Sequence, residues 1–172
     1  MILISAASFF AFFTLNDWML QWLEHSEHVN WIFLPAGVRL LMVLVMGFPG
    51  AAGIVLGTWA VSLQDGQSWS LLLVGNGLIS GLVPWMVLRW GWSCFHSLAG
   101  LKPDTLFGLV LSYAMLNALT HHLFWWWIQQ SPPSVLTGLT AMAIGDVVGA
   151  LLVLYLLKWG LDRWSLPSPN PR

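Results

Sequence analysis

So few residues of this chain are charged that it cannot cover a globule with a water-facing surface. Its 172 residues hold 6 Lys+Arg and 7 Asp+Glu, or 8%, where a soluble domain carries about 25%. Hydrophobic residues make up 58% and mean hydropathy is +0.75. This excludes an ordinary cytosolic enzyme, a nucleic-acid binder with a basic face and a disordered linker. The class that remains is a polytopic membrane protein.

A spanning helix needs about 20 mostly apolar residues. The apolar runs predict six: Ile4–Leu23, Val29–Phe48, Pro49–Leu63, Trp69–Trp90, Thr105–Ile128 and Val135–Trp159. The third is short and is expected to begin at the turn Gly47-Phe48-Pro49-Gly50. The runs are continuous rather than alternating, so a transmembrane β-barrel is not expected. Polar or proline-containing breaks separate them: Gln64-Asp65-Gly66-Gln67-Ser68, Lys102-Pro103-Asp104-Thr105 and Ser131-Pro132-Pro133-Ser134. The first run lacks a basic flank and continues past Asp17, so it reads as a retained span rather than a cleaved signal. The expected fold is all-α, a six-transmembrane-helix bundle over residues 1–164, with residues 165–172 a disordered cytoplasmic tail.

Six spans send alternate loops to opposite sides. One side receives Arg89, Lys102, Lys158, Arg163 and Arg172; the other receives Glu24, Glu27 and Asp65 and no Lys or Arg. Basic residues mark the cytoplasmic side, so both termini are expected there, in a bacterial inner membrane. Trp22, Trp31, Trp69, Trp90, Trp92, Trp125–Trp127, Trp159 and Trp164 fall near predicted span ends, where interfacial belts place indole rings.

Ionisable residues at bilayer depth are rare and costly, which makes each a candidate site residue. Counted from the outer end of each span, Arg39 is about ten residues in, and Asp146 and Asn117 about eleven. At about 1.5 Å of rise per residue these share one level. The matched depth predicts an Arg39–Asp146 ion pair joining spans two and six. Asn76 and His121 lie about seven residues in, and Asn117 and His121, spaced i,i+4, share a face that Tyr113 continues. Arg39, Asn76, Asn117, His121 and Asp146 are therefore the candidate ligand-binding residues of a pocket open to the outer face. The competing reading is interhelical hydrogen bonding. Asn16 and Asp17 add polar groups to span one.

Metal and cofactor chemistry are not expected. His121 and His122 are adjacent, so they point about 100° apart on a helix. Cys94 is the single cysteine, which excludes an intramolecular disulfide and a Cys-based metal site. His25 and His28, with Glu24 and Glu27, read as a solvated outer connector. No His-Glu-x-x-His, P-loop or Gly-x-Ser-x-Gly motif is present, so an enzyme is not expected. Small residues four apart recur: Ala7 and Ala11, Gly53 and Gly57, Gly77 and Gly81, Gly145 and Gly149. Such pairs let helices approach closely, and Ala7 and Ala11 are the candidate partner-binding face.

The stretch Trp31-Ile32-Phe33-Leu34-Pro35-Ala36-Gly37-Val38-Arg39, then Gly47 and Gly50-Ala51-Ala52-Gly53-Ile54-Val55-Leu56-Gly57, resembles MASE-type membrane-associated sensor domains. Gly145-Asp146-Val147-Val148-Gly149 is similar to the Gly-Asp-x-x-Gly of their late helix. That resemblance implies a sensor that precedes kinase or cyclic-di-nucleotide output domains in bacteria. Here the stretch after the last span is about a dozen residues, so signal transduction would pass through a separate partner. A six-span, glycine-rich chain with Ala-x-x-x-Ala in span one also resembles the S-components of energy-coupling factor transporters. That resemblance implies transport: capture of a vitamin-like small molecule from the outer face and coupling through span one. A scaffold subunit of a membrane complex is the third alternative. The expected partners are membrane lipid, a small-molecule ligand and a membrane or cytoplasmic protein, with no nucleic acid.

Overall fold

The computed structural model describes residues 1–20, 22, 24–26, 29–91, 103–130 and 134–164. Leu23, Glu27, His28, Trp92, Cys94, Lys102, the 131–133 break, Arg172 and the expected 165–172 tail lie outside the described residues. The fold is six helices, α1 (Ile2–Leu20), α2 (Pro35–Met46), α3 (Phe48–Gln64), α4 (Leu71–Gly91), α5 (Pro103–Trp127) and α6 (Val135–Trp164). Between α1 and α2 stands a two-stranded antiparallel ribbon, β1 (Glu24–Ser26) with β2 (Val29–Asn30). Among the described residues, four helices, α1, α4, α5 and α6, are long and apolar enough to cross a membrane.

Helices α2 to α6 close a ring. Each packs on the next from α2 to α6, with α6 returning to α2, and α1 lies outside against α3 and α2. The core runs through the ring and includes Phe9, Leu40, Ile54, Val110 and Tyr113, all fully buried. The outward faces carry exposed Leu3, Trp18, Leu123, Trp126, Leu136 and Tyr155. Apolar side chains facing outward cost nothing where the surroundings are hydrocarbon.

Glycine makes the tightest seams. Gly53 on α3 stands where a Cβ would strike the Ile2 carbonyl and Ser5 side chain of α1. The Ser5 hydroxyl donates to the Gly50 carbonyl at 2.7 Å. Gly47 ends α2 at φ 62, a conformation that side-chain-bearing residues rarely adopt, and it turns the chain into α3, where Pro49 sits in the first turn. The expected turn at Gly47-Phe48-Pro49-Gly50 is therefore present.

The second predicted span departs from expectation. Instead of a helix from Val29, the chain forms β2, turns through 31–34 and enters α2 only at Pro35. Pro35 explains the boundary: it has no N–H to give and is tolerated only in the first turn. The Leu34 N–H is instead taken by Asn16 Oδ1 of α1 at 2.9 Å, and the Phe33 N–H by the Gly145 carbonyl of α6 at 3.1 Å. Non-helical backbone inside a bundle needs such partners. Gly145 and Gly149 make room for this arm, because a Cβ at either would run into the carbonyls of Asn30 and Phe33 respectively. The Gly-x-x-x-Gly spacing on α6 thus admits a non-helical arm rather than another helix. Residues 24–26 and 29–30, expected as a solvated connector and helix start, form a ribbon against α6.

Candidate functional site

The arm, α1 and the ring enclose a cavity of about 60 Å³. Its polar lining is Asn30 from the arm, Arg39 from α2, Thr58 and Ser62 from α3, Asn76 and Ser80 from α4, His121 from α5 and Asp146 from α6. Phe9, Phe13, Phe33, Val61, Trp125 and Met142 supply the apolar walls.

Arg39 is 5% exposed, and its position follows from two aromatic rings. The guanidinium carbon lies 5.1 Å from the Phe9 ring centre and 5.0 Å from that of Phe33. Quadrupolar ring faces stabilise a cation most where water is excluded, by roughly 2 kcal/mol. The rings contribute no hydrogen-bond acceptor, and Arg39 Nε and Nη1 have no hydrogen-bond partner in the protein.

Asp146 is 1% exposed. Its Oδ2 accepts from Asn117 Nδ2 at 2.6 Å, a short bond that ties α5 to α6. The expected ion pair with Arg39 is not formed directly among the described residues. The aromatic clamp fixes the cation and the Asn117 amide holds the carboxylate, and both residues line the same cavity. Buried Tyr113 stands beside the Arg39 guanidinium, its hydroxyl falling short of an ordinary hydrogen bond.

Four of the five sequence-selected residues, Arg39, Asn76, His121 and Asp146, line this one cavity. Asn117 does not; it stands behind Asp146 and orients it. Asn76 Oδ1 accepts from Trp125 Nε1 at 2.8 Å, closing the α4–α5 seam. Trp125 is thereby turned inward, unlike the exposed Trp126 and Trp127. It still lies in the last turn of α5, near the span end where the sequence places it. His121 Nδ1 donates to the Asn117 carbonyl at 3.0 Å and His122 Nδ1 to the Ala118 carbonyl at 2.9 Å. Only His121 reaches the cavity, as adjacent helical residues diverge. Asn16, a candidate polar group, is consumed in holding Leu34.

Sequence reasoning missed Asn30, Ser80, Phe9 and Phe33. Asn30 was hidden by the helical reading of residues 29–34. Ser80 stands four residues before Pro84, which cannot donate to its carbonyl; that pairing inside an apolar helix was a readable signal. Ala7 and Ala11 are exposed on α1, on the side away from buried Ser5 and Phe9. Among the described residues, no group of three or more His, Cys, Asp or Glu is placed to hold a metal ion. No protein-family model, curated protein or solved structure matches the chain.

Proposed function

We propose that this is a six-span bacterial inner-membrane protein, both termini cytoplasmic, that binds a small polar ligand non-catalytically and reports its presence, sensor-like, to a partner. One observation carries the reading. A nearly fully buried arginine, two of whose nitrogens have no protein hydrogen-bond partner, borders a cavity whose other walls hold Asp146, His121, Asn76 and Asn30. A purely structural arginine at this depth would spend its donors on protein acceptors, since each buried unmet donor costs about 1–3 kcal/mol. The ligand reaches groups on five helices and the arm at once, so its binding can bias their relative positions.

The six-span topology draws on the α2–α3 turn. Gly47 and Arg89 border a second cavity of about 260 Å³, and Phe48 packs edge-on against Trp85 with ring centres 5.5 Å apart. The turn thus stands level with the basic end of α4. A substrate-capturing transporter subunit is the second reading, favoured by the exposed Ala7 and Ala11 face. The small cavity weighs against a vitamin-sized substrate.

The test is thermal unfolding of the intact protein in lipid nanodiscs against a panel of small polar metabolites. At least one compound should raise the midpoint, and Ser80→Leu, which fills the cavity, should abolish that rise. If no compound shifts the wild-type protein, or if Ser80→Leu responds equally, the binding function is wrong.

A further inference from the structure

The cavity wall carries one guanidinium and one carboxylate, and their separate anchoring restricts what can enter. We propose that the ligand is a compact zwitterion, an ammonium and a carboxylate on one small molecule; this rests on the binding function proposed above. The argument begins with charge. Arg39 and Asp146 together bring the cavity to neutrality. A simple anion would leave an excess negative charge there, and a simple cation an excess positive one. Either excess is costly in a site walled by Phe9, Phe13, Phe33 and Met142. A zwitterion adds no net charge and meets both fixed charges.

Hydrogen-bonding capacity points the same way. Arg39 borders the cavity, and its Nε and Nη1 have no protein acceptor, so the guanidinium is left with unspent donor capacity. Two carboxylate oxygens are the group that best matches a guanidinium. On the accepting side, Asn30 Oδ1 is buried without a donor, and Asp146 spends Oδ2 on a single amide hydrogen bond. An ammonium brings three donors and no acceptor. The two charged walls are held apart by different elements, Arg39 by the Phe9–Phe33 clamp and Asp146 by Asn117. Neither is spent on a direct ion pair with the other. Size then limits the molecule: about 60 Å³ holds roughly four or five water-sized groups. That suits an amino-acid head with little or no side chain.

The test compares glycine, acetate and methylammonium at equal concentration, by thermal unfolding of the full chain in nanodiscs. Glycine should raise the wild-type midpoint by at least about 3 °C, and acetate and methylammonium should not. Asp146→Asn keeps an amide-sized side chain against Asn117 but removes the negative charge. It should lose the response to glycine and gain one to acetate. The wild-type comparison decides the matter even where that variant folds poorly. Acetate or methylammonium stabilising the wild type as strongly as glycine would overturn the zwitterion while leaving a ligand cavity in place. A glycine response that persists in Ser80→Leu, or no glycine response in the wild type, would also overturn it. Silence from the wider panel as well would remove the binding function too.

Discussion

Arg39 is held by geometry that a lysine cannot copy. Its flat guanidinium lies against two rings, Phe9 on α1 and Phe33 on the arm, so one side chain joins three elements. Arg39→Ala should therefore lower both the unfolding midpoint and the yield of folded protein in detergent, and an unchanged midpoint would contradict the clamp. Arg39→Lys keeps the charge but loses planar stacking, and it should fall between the two. Asp146 offers a second test. Asn117→Leu removes the amide that holds its carboxylate, which leaves a buried charge short of a partner and should cost about 1–3 kcal/mol. Asn117→Leu combined with Asp146→Leu should cost less than the two single changes added together. Interhelical contacts of this kind couple by about 0.6–1.7 kcal/mol in membranes. A steric and reversible unfolding assay on all four proteins measures the coupling, and strict additivity would mean that the bond is energetically silent. At this scale the sequence was informative: charge at depth pointed to Arg39 and Asp146. It could not show that a phenyl pair and an amide, rather than each other, hold them.

Among the elements, the arm between β2 and α2 is the part that local sequence reading could not supply. Four helices, α1, α4, α5 and α6, follow their apolar runs to within a few residues at each described end. Those boundaries were legible because hydrocarbon thickness sets their length and proline or polar breaks end them. The segment 29–34 is as apolar as a span, yet it is not helical. The determinants lie far away, in Asn16, Gly145 and Gly149. Pro35 marked the helix start but not the path that leads to it. If the glycines exist to admit the arm, then Gly149→Ala must displace it, since the new Cβ would meet the Phe33 carbonyl. Overpacking of this kind costs about 1–3 kcal/mol. Amide hydrogen exchange in residues 29–34 should quicken in that variant. Gly108→Ala is the matched control, because nothing lies within 4 Å of a Cβ there. It should leave exchange in the arm unchanged and the midpoint equal or higher. Equal behaviour of the two variants would mean that the arm does not depend on close approach.

For the molecule as a whole, the question is what the α2–α3 pair does in the bilayer. Helix α2 has 12 residues and α3 has 17, about 18 Å and 25 Å long. Neither matches the roughly 30 Å hydrocarbon thickness alone. A re-entrant pair, dipping from the outer side and returning, would leave every other loop where six spans leave it. Charge bias cannot separate the two, because the pair carries one basic residue, Arg39, inside α2 and none at its turn. The packing of the turn favours the six-span reading we propose. Phe48 is 55% exposed and packs on Trp85, one turn from Arg89 at the end of a helix long enough to cross. At the other end, Asp17 of α1 and Asp65 after α3 border one shallow pocket, which sets those two termini on a common side. On the six-span reading we propose, the arm would let α2 start below that side and still reach the opposite one. Replacing Cys94, the single cysteine, by serine gives a background for labelling with a membrane-impermeant maleimide. Gln67→Cys should react in intact cells. Phe48→Cys and Arg163→Cys should react only after the inner membrane is opened. Labelling of Phe48→Cys from outside, with Arg163→Cys still protected, would make α2–α3 a re-entrant pair and reduce the spans to four. The cavity would survive that result, since its walls depend on how α1, the arm and the ring pack together.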